Sequence, residues 1–268
     1  MPQHDPARRP WRRLVLAGSA ALGTALIGWL VSFVGPKLWN TTSRAVSGEK
    51  PPVALAVVTD VDRFRSGARG SFIPEFIITR PAAQVSAPPN GEEPAGRWSW
   101  AHRLGGIDAY QTLIRVKISG ADRTPVIVDN LRVKVVRRGP ALAAPLFSYT
   151  GLGSGQGVRY FEVDLDRRAP VTRYVGGSGP GATKHDPFPL RVTHSDVEVI
   201  DLLADTLRCD CEWVAKLDWE SGTRAGELTI DDHGKPFHTA APAENAAGDA
   251  ADLRYWQGDR WHRYVAST

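Results

Sequence analysis

Methionine and cysteine are nearly absent from this chain, with one Met and two Cys in 268 residues. Two cysteines cannot build the multi-bridge framework of a small stapled domain, so stability has to come from a packed core. The sequence also lacks the Gly-x-Ser-x-Gly elbow of serine hydrolases and the His-Glu-x-x-His pair of zinc peptidases. The glycine-rich stretch GLGSGQG has neither the lysine nor the following helix that a phosphate cradle requires, so it reads as a loop. No solenoid repeat is present. Net charge is scarce as well. The formal charge is +4, and residues 1–13, with Arg8, Arg9, Arg12, Arg13 and Asp5, hold +3 of it, so the other 255 residues carry +1. That balance excludes a general basic footprint, and no nucleic-acid partner is expected. No cofactor motif is found either.

Long uncharged runs are missing with one exception. Leu14–Val34 is 21 residues without a charge, directly after four arginines. A helix crossing the hydrocarbon core needs about 20 apolar residues at 1.5 Å rise each. Secretory signal cores are shorter, about 7–15 residues, and end near a small-x-small cleavage site. The nearest such site, Ser43-Arg44-Ala45, lies roughly ten residues past the run. A retained transmembrane anchor is therefore expected in preference to a cleaved signal. The arginines precede the span, with only Lys37 and Arg44 close behind it, which keeps the N-terminal tail cytoplasmic. The expected organisation is a basic cytoplasmic tail (1–13), a transmembrane helix (14–34) in the plasma membrane bilayer, a tether (35–52) ending in a diproline, and an extracytoplasmic domain (53–268).

That domain reads as mainly β. The chain has 26 glycines and 20 prolines, a turn-rich composition that suits many short strands. Ile114, Val116 and Ile118 alternate with Arg115 and Lys117; Leu131, Val133 and Val135 alternate with Arg132 and Lys134; Phe161, Val163 and Leu165 alternate with Glu162 and Asp164. Each pattern has the period of two that marks a half-buried strand. VEVIDLLADTL (197–207) fits strand or helix and is assigned as strand beside its strand neighbours. CDCEWVAKLDW (209–219) puts Cys209, Cys211, Trp213, Ala215, Leu217 and Trp219 on one face. LRYWQGDRWHRYV predicts a hairpin turning at Gln257-Gly258-Asp259. About nine short strands at regular spacing predict an antiparallel, Ig-like β-sandwich.

Candidate sites are few. Cys209 and Cys211 suit a disulfide, two buried thiols or a metal pair. In an extended strand their Cα atoms would stand about 6.7 Å apart, at the upper limit for a bridge, so a disulfide requires a local kink. Asp232, His233 and His238 surround a turn and are weak candidates for a metal or acid–base site; ordinary turn chemistry accounts for them better. Asp60/Asp62 and Asp164/Asp166 have Asp-x-Asp spacing, which a solvated strand face also produces. Trp98 and Trp100 flank a long loop, and Trp256 and Trp261 sit in the terminal hairpin. Buried, such rings close a core. Exposed, they form a platform for sugar rings or a hot spot for a protein.

The stretch 209–239, with its Trp-x-x-x-Leu-x-Trp strand and Gly-Lys-Pro-Phe turn, together with DNLRVKVVRR and YFEVDLD, resembles uncharacterised single-pass membrane proteins of actinobacteria. The resemblance implies an anchored, β-rich exterior and carries no functional residue. The expected function is a non-enzymatic cell-envelope module that binds an envelope protein or wall polymer through Trp98, Trp100, Trp256 and Trp261. The alternative is an envelope hydrolase or metal-dependent enzyme using His and Asp at loop ends.

The topology has a direct test. Protease applied to intact protoplasts should trim the protein to a short anchored stub that keeps residues 1–34. A soluble mature form starting near Val46 would identify the segment as a cleaved signal.

Overall fold

Alternation in the sequence becomes alternation in the fold. A computed structural model describes residues 50–64, 74–89, 95–148, 159–176, 188–244 and 250–265. In chain order these form β1 (Val53–Val58), β2 (Phe76–Ile77), α1 (Arg97–Arg103), β3 (Ile107–Ala109), β4 (Gln111–Gly120), β5 (Val126–Pro140), β6 (Leu146–Ser148) and β7 (Tyr160–Asp164). There follow β8 (Arg173–Gly176), β9 (Leu190–Val192), β10 (Glu198–Asp205), β11 (Cys209–Ser221), β12 (Arg224–Ile230), β13 (Phe237–Ala240), β14 (Leu253–Gln257) and β15 (Arg260–Arg263). The expected transmembrane run Leu14–Val34, the tail before it and most of the tether lie outside the described residues. Among the described residues, no helix is long and apolar enough to cross a membrane.

The protein is mainly β, in two mixed sheets. One has the order β1-β4-β10-β7-β8; the other runs β15-β14-β6-β2-β3-β13-β11-β5-β9, with β12 also paired to β11. The alternating strands predict an antiparallel sandwich, but the pairing is mixed. β10 with β7, β13 with β3 and β14 with β6 are parallel. These pairs join strands distant in sequence, which period-two patterning within one strand cannot specify. VEVIDLLADTL is indeed strand, as β10, but it sits between β4 and β7 rather than in a meander with its sequence neighbours. Its central position buries Ile200, Leu202 and Ala204 on one face and Asp201 and Leu203 on the other. Two opposed faces of burial explain why its sequence reads ambiguously.

β11 is the most heavily paired strand. Its outer half pairs with β12 and its inner half with β13, while β5 runs along the opposite edge. Cys209, Cys211, Trp213, Ala215, Leu217 and Trp219 are all buried, facing one core built by side chains from both sheets. Trp219 lies across Gly226, its partner in register; a β-carbon there would stand 2.7 Å from Cζ2 of the indole, so only glycine admits the ring. Cys209 and Cys211 form a disulfide, with Cα atoms 5.4 Å apart. The strand is contracted here from its extended repeat, and the pairing with β5 shifts register just beyond, between Glu212 and Trp213.

Polar groups in this core are joined in sequence. Trp213, fully buried, donates its Nε1–H to Oγ1 of Thr239 on β13 at 2.9 Å. Thr239 Oγ1 lies 2.7 Å from Oγ1 of Thr112 on β4, and Thr112 reaches the carbonyl oxygen of His238 at 3.5 Å. One direction of donation, from indole to Thr239 to Thr112 to carbonyl, satisfies every member. The threonine pair thereby links the two sheets. Elsewhere Arg115 on β4 grips Asp201 on β10 with two hydrogen bonds, 2.6 and 2.7 Å, and lies against the ring of Phe64.

Thr239→Val keeps the shape but leaves a buried indole N–H without its acceptor. It should cost about 1–3 kcal/mol in urea unfolding. Thr239→Ser, which keeps the hydroxyl, should lose clearly less. Equal losses would mean that packing, not the hydrogen bond, is what matters at this position.

Candidate functional site

The four tryptophans singled out in the sequence come from two regions, and tertiary folding brings three of them together. Arg97, Trp100, Ala101 and Leu104 repeat at helical spacing, and α1 turns Trp100 and Ala101 into a satellite core with Phe76, Ile78, Val85 and Phe147. That spacing is the signal by which α1 is legible, although its seven residues lie beside a proline-rich loop. Gly96 opens the helix and donates its N–H to Oδ2 of Asp62 at 2.8 Å. Trp100 is 6% exposed, and its Nε1 donates to Oγ of Ser86 at 3.1 Å.

The terminal hairpin supplies the other two rings. Gly258, at φ +67°, makes the tight turn between β14 and β15 without strain. Trp256 and Trp261 are thereby directly opposed across the strands, their rings 5.2 Å apart and nearly perpendicular. Trp261 then stacks on Trp100 at 5.8 Å and meets Phe147 edge-on at 4.7 Å. Its Nε1 donates to the carbonyl oxygen of Ser86 at 3.4 Å. Trp100 is thus the buried floor, while Trp261 and Trp256 are both half-buried. Trp98 stands apart from them, stacked at 4.0 Å on His102 one turn along the helix. Beside Trp256 and Trp261 opens a groove of about 460 Å³, completed by Ala82, Ala83, Val85, Ala87, Arg254, Asp259 and Arg260.

The histidine candidates are not assembled. His233 sits at φ +54° in an exposed turn, where its Nδ1 meets the neighbouring Asp232 Oδ1 at 2.8 Å. The turn is closed by Asp232 pairing with Lys235 and by Gly234 N–H donating to Asp231. His238 instead reaches across to β11, with Nε2 2.5 Å from Asp210 Oδ1. Arg137 holds the other oxygen of Asp210 at 2.8 Å and donates to Glu212 at 2.9 Å. Burial opposes the charge of Asp210, but the hydrogen bonds from Arg137 and His238 outweigh it and hold the carboxyl below its ordinary value. This cluster is a set of ion pairs, and among the described residues no hydroxyl or thiol hydrogen-bonds to the imidazole of His238. Nor, among them, does any group of three or more His, Cys, Asp and Glu side chains stand where it could hold a metal ion. The Asp-x-Asp pairs serve as local caps: Asp60 accepts from Asp62 N–H, and Asp164 from Asp166 N–H.

A second depression, about 600 Å³, lies along β7 and β8 and gathers Glu162, Asp164 and Asp205. Asp205 stands in register with Asp164 on the parallel neighbour strand. Arg173 pairs with Glu162 and Arg167 with Asp164, leaving Asp205 the less compensated carboxylate. Burial first, then the charges of Asp164, Glu162 and Asp166, push its carboxyl up to about 6. The folded state therefore binds this proton more tightly than the unfolded chain does. Its contribution favours folding fully below 3.8, the ordinary value, and is lost as pH rises through about 6.

Asp205→Asn should accordingly stabilise the protein at pH 8. The gain should be about 1 kcal/mol, reduced from the full proton linkage because the group is half exposed. It should vanish at pH 4. Thermal unfolding at the two pH values checks this; an identical shift at both would show that the carboxyl is not linked to folding.

No protein-family model, curated protein or solved structure matches this chain.

Proposed function

We propose that this chain is a single-pass membrane protein that holds a non-catalytic binding module in the cell envelope, of the kind its resemblance to anchored actinobacterial proteins implies. The anchor is Leu14–Val34, with the arginine-rich tail in the cytoplasm and residues 53–268 outside. The module reads as an antiparallel-rich β-sandwich, with both sheets contributing to its main core. A disulfide at Cys209–Cys211 accords with an oxidising compartment.

The observation that carries the binding reading is the ring-to-ring chain Trp100–Trp261–Trp256 beside an open groove. Binding surfaces owe most of their energy to a few aromatic anchors backed by packed neighbours. Trp100 supports Trp261 from inside, which makes a rigid platform of the hairpin. The hydrolase reading has less behind it. His238 and Asp210 are engaged with Arg137, while Asp232 and His233 occupy an exposed turn.

Trp256→Ala should reduce capture of the envelope partner or polymer at least tenfold, with the melting temperature nearly unchanged. Trp100→Ala should instead cost about 3–5 kcal/mol in stability, the usual loss for a buried tryptophan. Unimpaired capture by Trp256→Ala would overturn the reading. A hydrolytic activity abolished by His238→Ala would put the enzyme reading in its place.

A further inference from the structure

The groove's lining narrows the class of ligand. Its two aromatic walls, Trp256 and Trp261, meet at 74°, so a flat apolar face of a ligand can lie on one ring while its edge abuts the other. The opposite side is built from small side chains, Ala82, Ala83 and Ala87, which leave room without adding chemistry. The polar lining is of both signs. Arg254 is held by Asp252, through hydrogen bonds of 2.7 and 3.2 Å. Asp259 and Arg260, adjacent and exposed at the hairpin tip, offer an acceptor and a fork of donors side by side.

The lining sets two arginines, Arg254 and Arg260, against one aspartate, Asp259, while Asp252 behind Arg254 also meets Arg263, so the groove offers more donors than acceptors. It suits a ligand that has an apolar face and groups able to accept from the arginines and donate to the aspartate. Hydroxyls on a pyranose ring do both, and the axial C–H face of the ring supplies the apolar surface. A volume of about 460 Å³ falls within the range of small-ligand sites, enough for a short segment of such a chain and far less than a helical partner occupies. We infer that the hairpin groove binds a hydroxyl-rich saccharide chain, with Trp256 as the stacking surface and Asp259 and Arg260 bonding its hydroxyls. The inference rests on the binding-module reading and specifies its ligand. An extended peptide added along the edge strand β15 is the competing occupant, and the test separates the two.

The full chain in detergent micelles should be titrated with neutral hexasaccharides, a β-1,4-glucan and a β-1,4-linked N-acetylglucosamine oligomer, by calorimetry and by its tryptophan fluorescence. At least one should bind saturably. Trp256→Ala should weaken that binding at least tenfold, while Trp98→Ala, outside the groove, should change it less than twofold. Ala83→Trp, which fills the groove from an exposed position and removes no contact, should block binding even if Trp256→Ala fails to fold. Failure of both oligomers to bind, or binding that survives Ala83→Trp, overturns the inference. Crosslinking in native membranes distinguishes this from failure of the broader reading. A protein partner captured by the parent chain and lost in Ala83→Trp, without saccharide binding, leaves a binding module with a peptide ligand. Loss of neither removes both.

Discussion

A tryptophan with no exposed surface must find an acceptor for its indole N–H, and the rest of this architecture hangs on the one that Trp213 finds. The acceptor is Thr239, on a strand of four residues. By holding Thr239 against Trp213 and Thr112 at once, the core fixes β13 beside β11 and joins the two sheets at that point. From β13 the larger sheet continues through β3, β2, β6 and β14 to β15. Most of those strands have only two to five residues, too few to be stable alone. They hold their order because each end of the sequence of pairings is anchored, at Trp213 in the main core and at Trp100 in the satellite core. The hairpin and its groove therefore depend on a hydrogen bond made far from them along the sheet.

Electrostatics divide the surface into matched and unmatched regions. Outward-facing arginines on β5 are paired with carboxylates on β11 and β12: Arg132 with Asp218 and Glu227, Arg137 with Asp210 and Glu212. Where both partners are exposed, as in Arg132 with Glu227, such a pair contributes little to stability. Arg115 and Asp201 are different, because a largely desolvated pair is costly to break and is satisfied here by two-point geometry. Asp205 is the exception, crowded by other carboxylates and burdened above pH 6.

The same logic separates the tryptophans from the histidines as functional candidates. A catalytic imidazole needs a free nitrogen directed at a reacting group. His238 is directed at Asp210 and Arg137, and His233 at its own neighbour, which are the positions of structural and turn residues. The tryptophans behave in the opposite way. Trp100 is buried while Trp256 and Trp261 are both half-buried beside the groove, which gives a supported aromatic surface rather than a sealed core.

What was legible in the sequence was whatever repeats locally. Period-two alternation marked β4, β5, β7 and β11 with their inward faces, and a Gln-Gly-Asp signal marked the terminal hairpin, because side-chain direction along one strand is a local property. Strands such as β3, β6, β8 and β9 were not, since three or four residues hold too little pattern to rise above their loops. Parallel pairing was not legible either: it joins β10 to β7 and β13 to β3 through contacts that only the closed core rewards. The same holds for the site. Composition could nominate Trp98, Trp100, Trp256 and Trp261, but nothing in their spacing could tell that Trp100 would become the floor, that Trp98 would turn aside to His102, or that Trp256 and Trp261 would wall a groove. Those outcomes depend on how α1 packs against the hairpin, a contact between segments some 160 residues apart that tertiary structure alone decides.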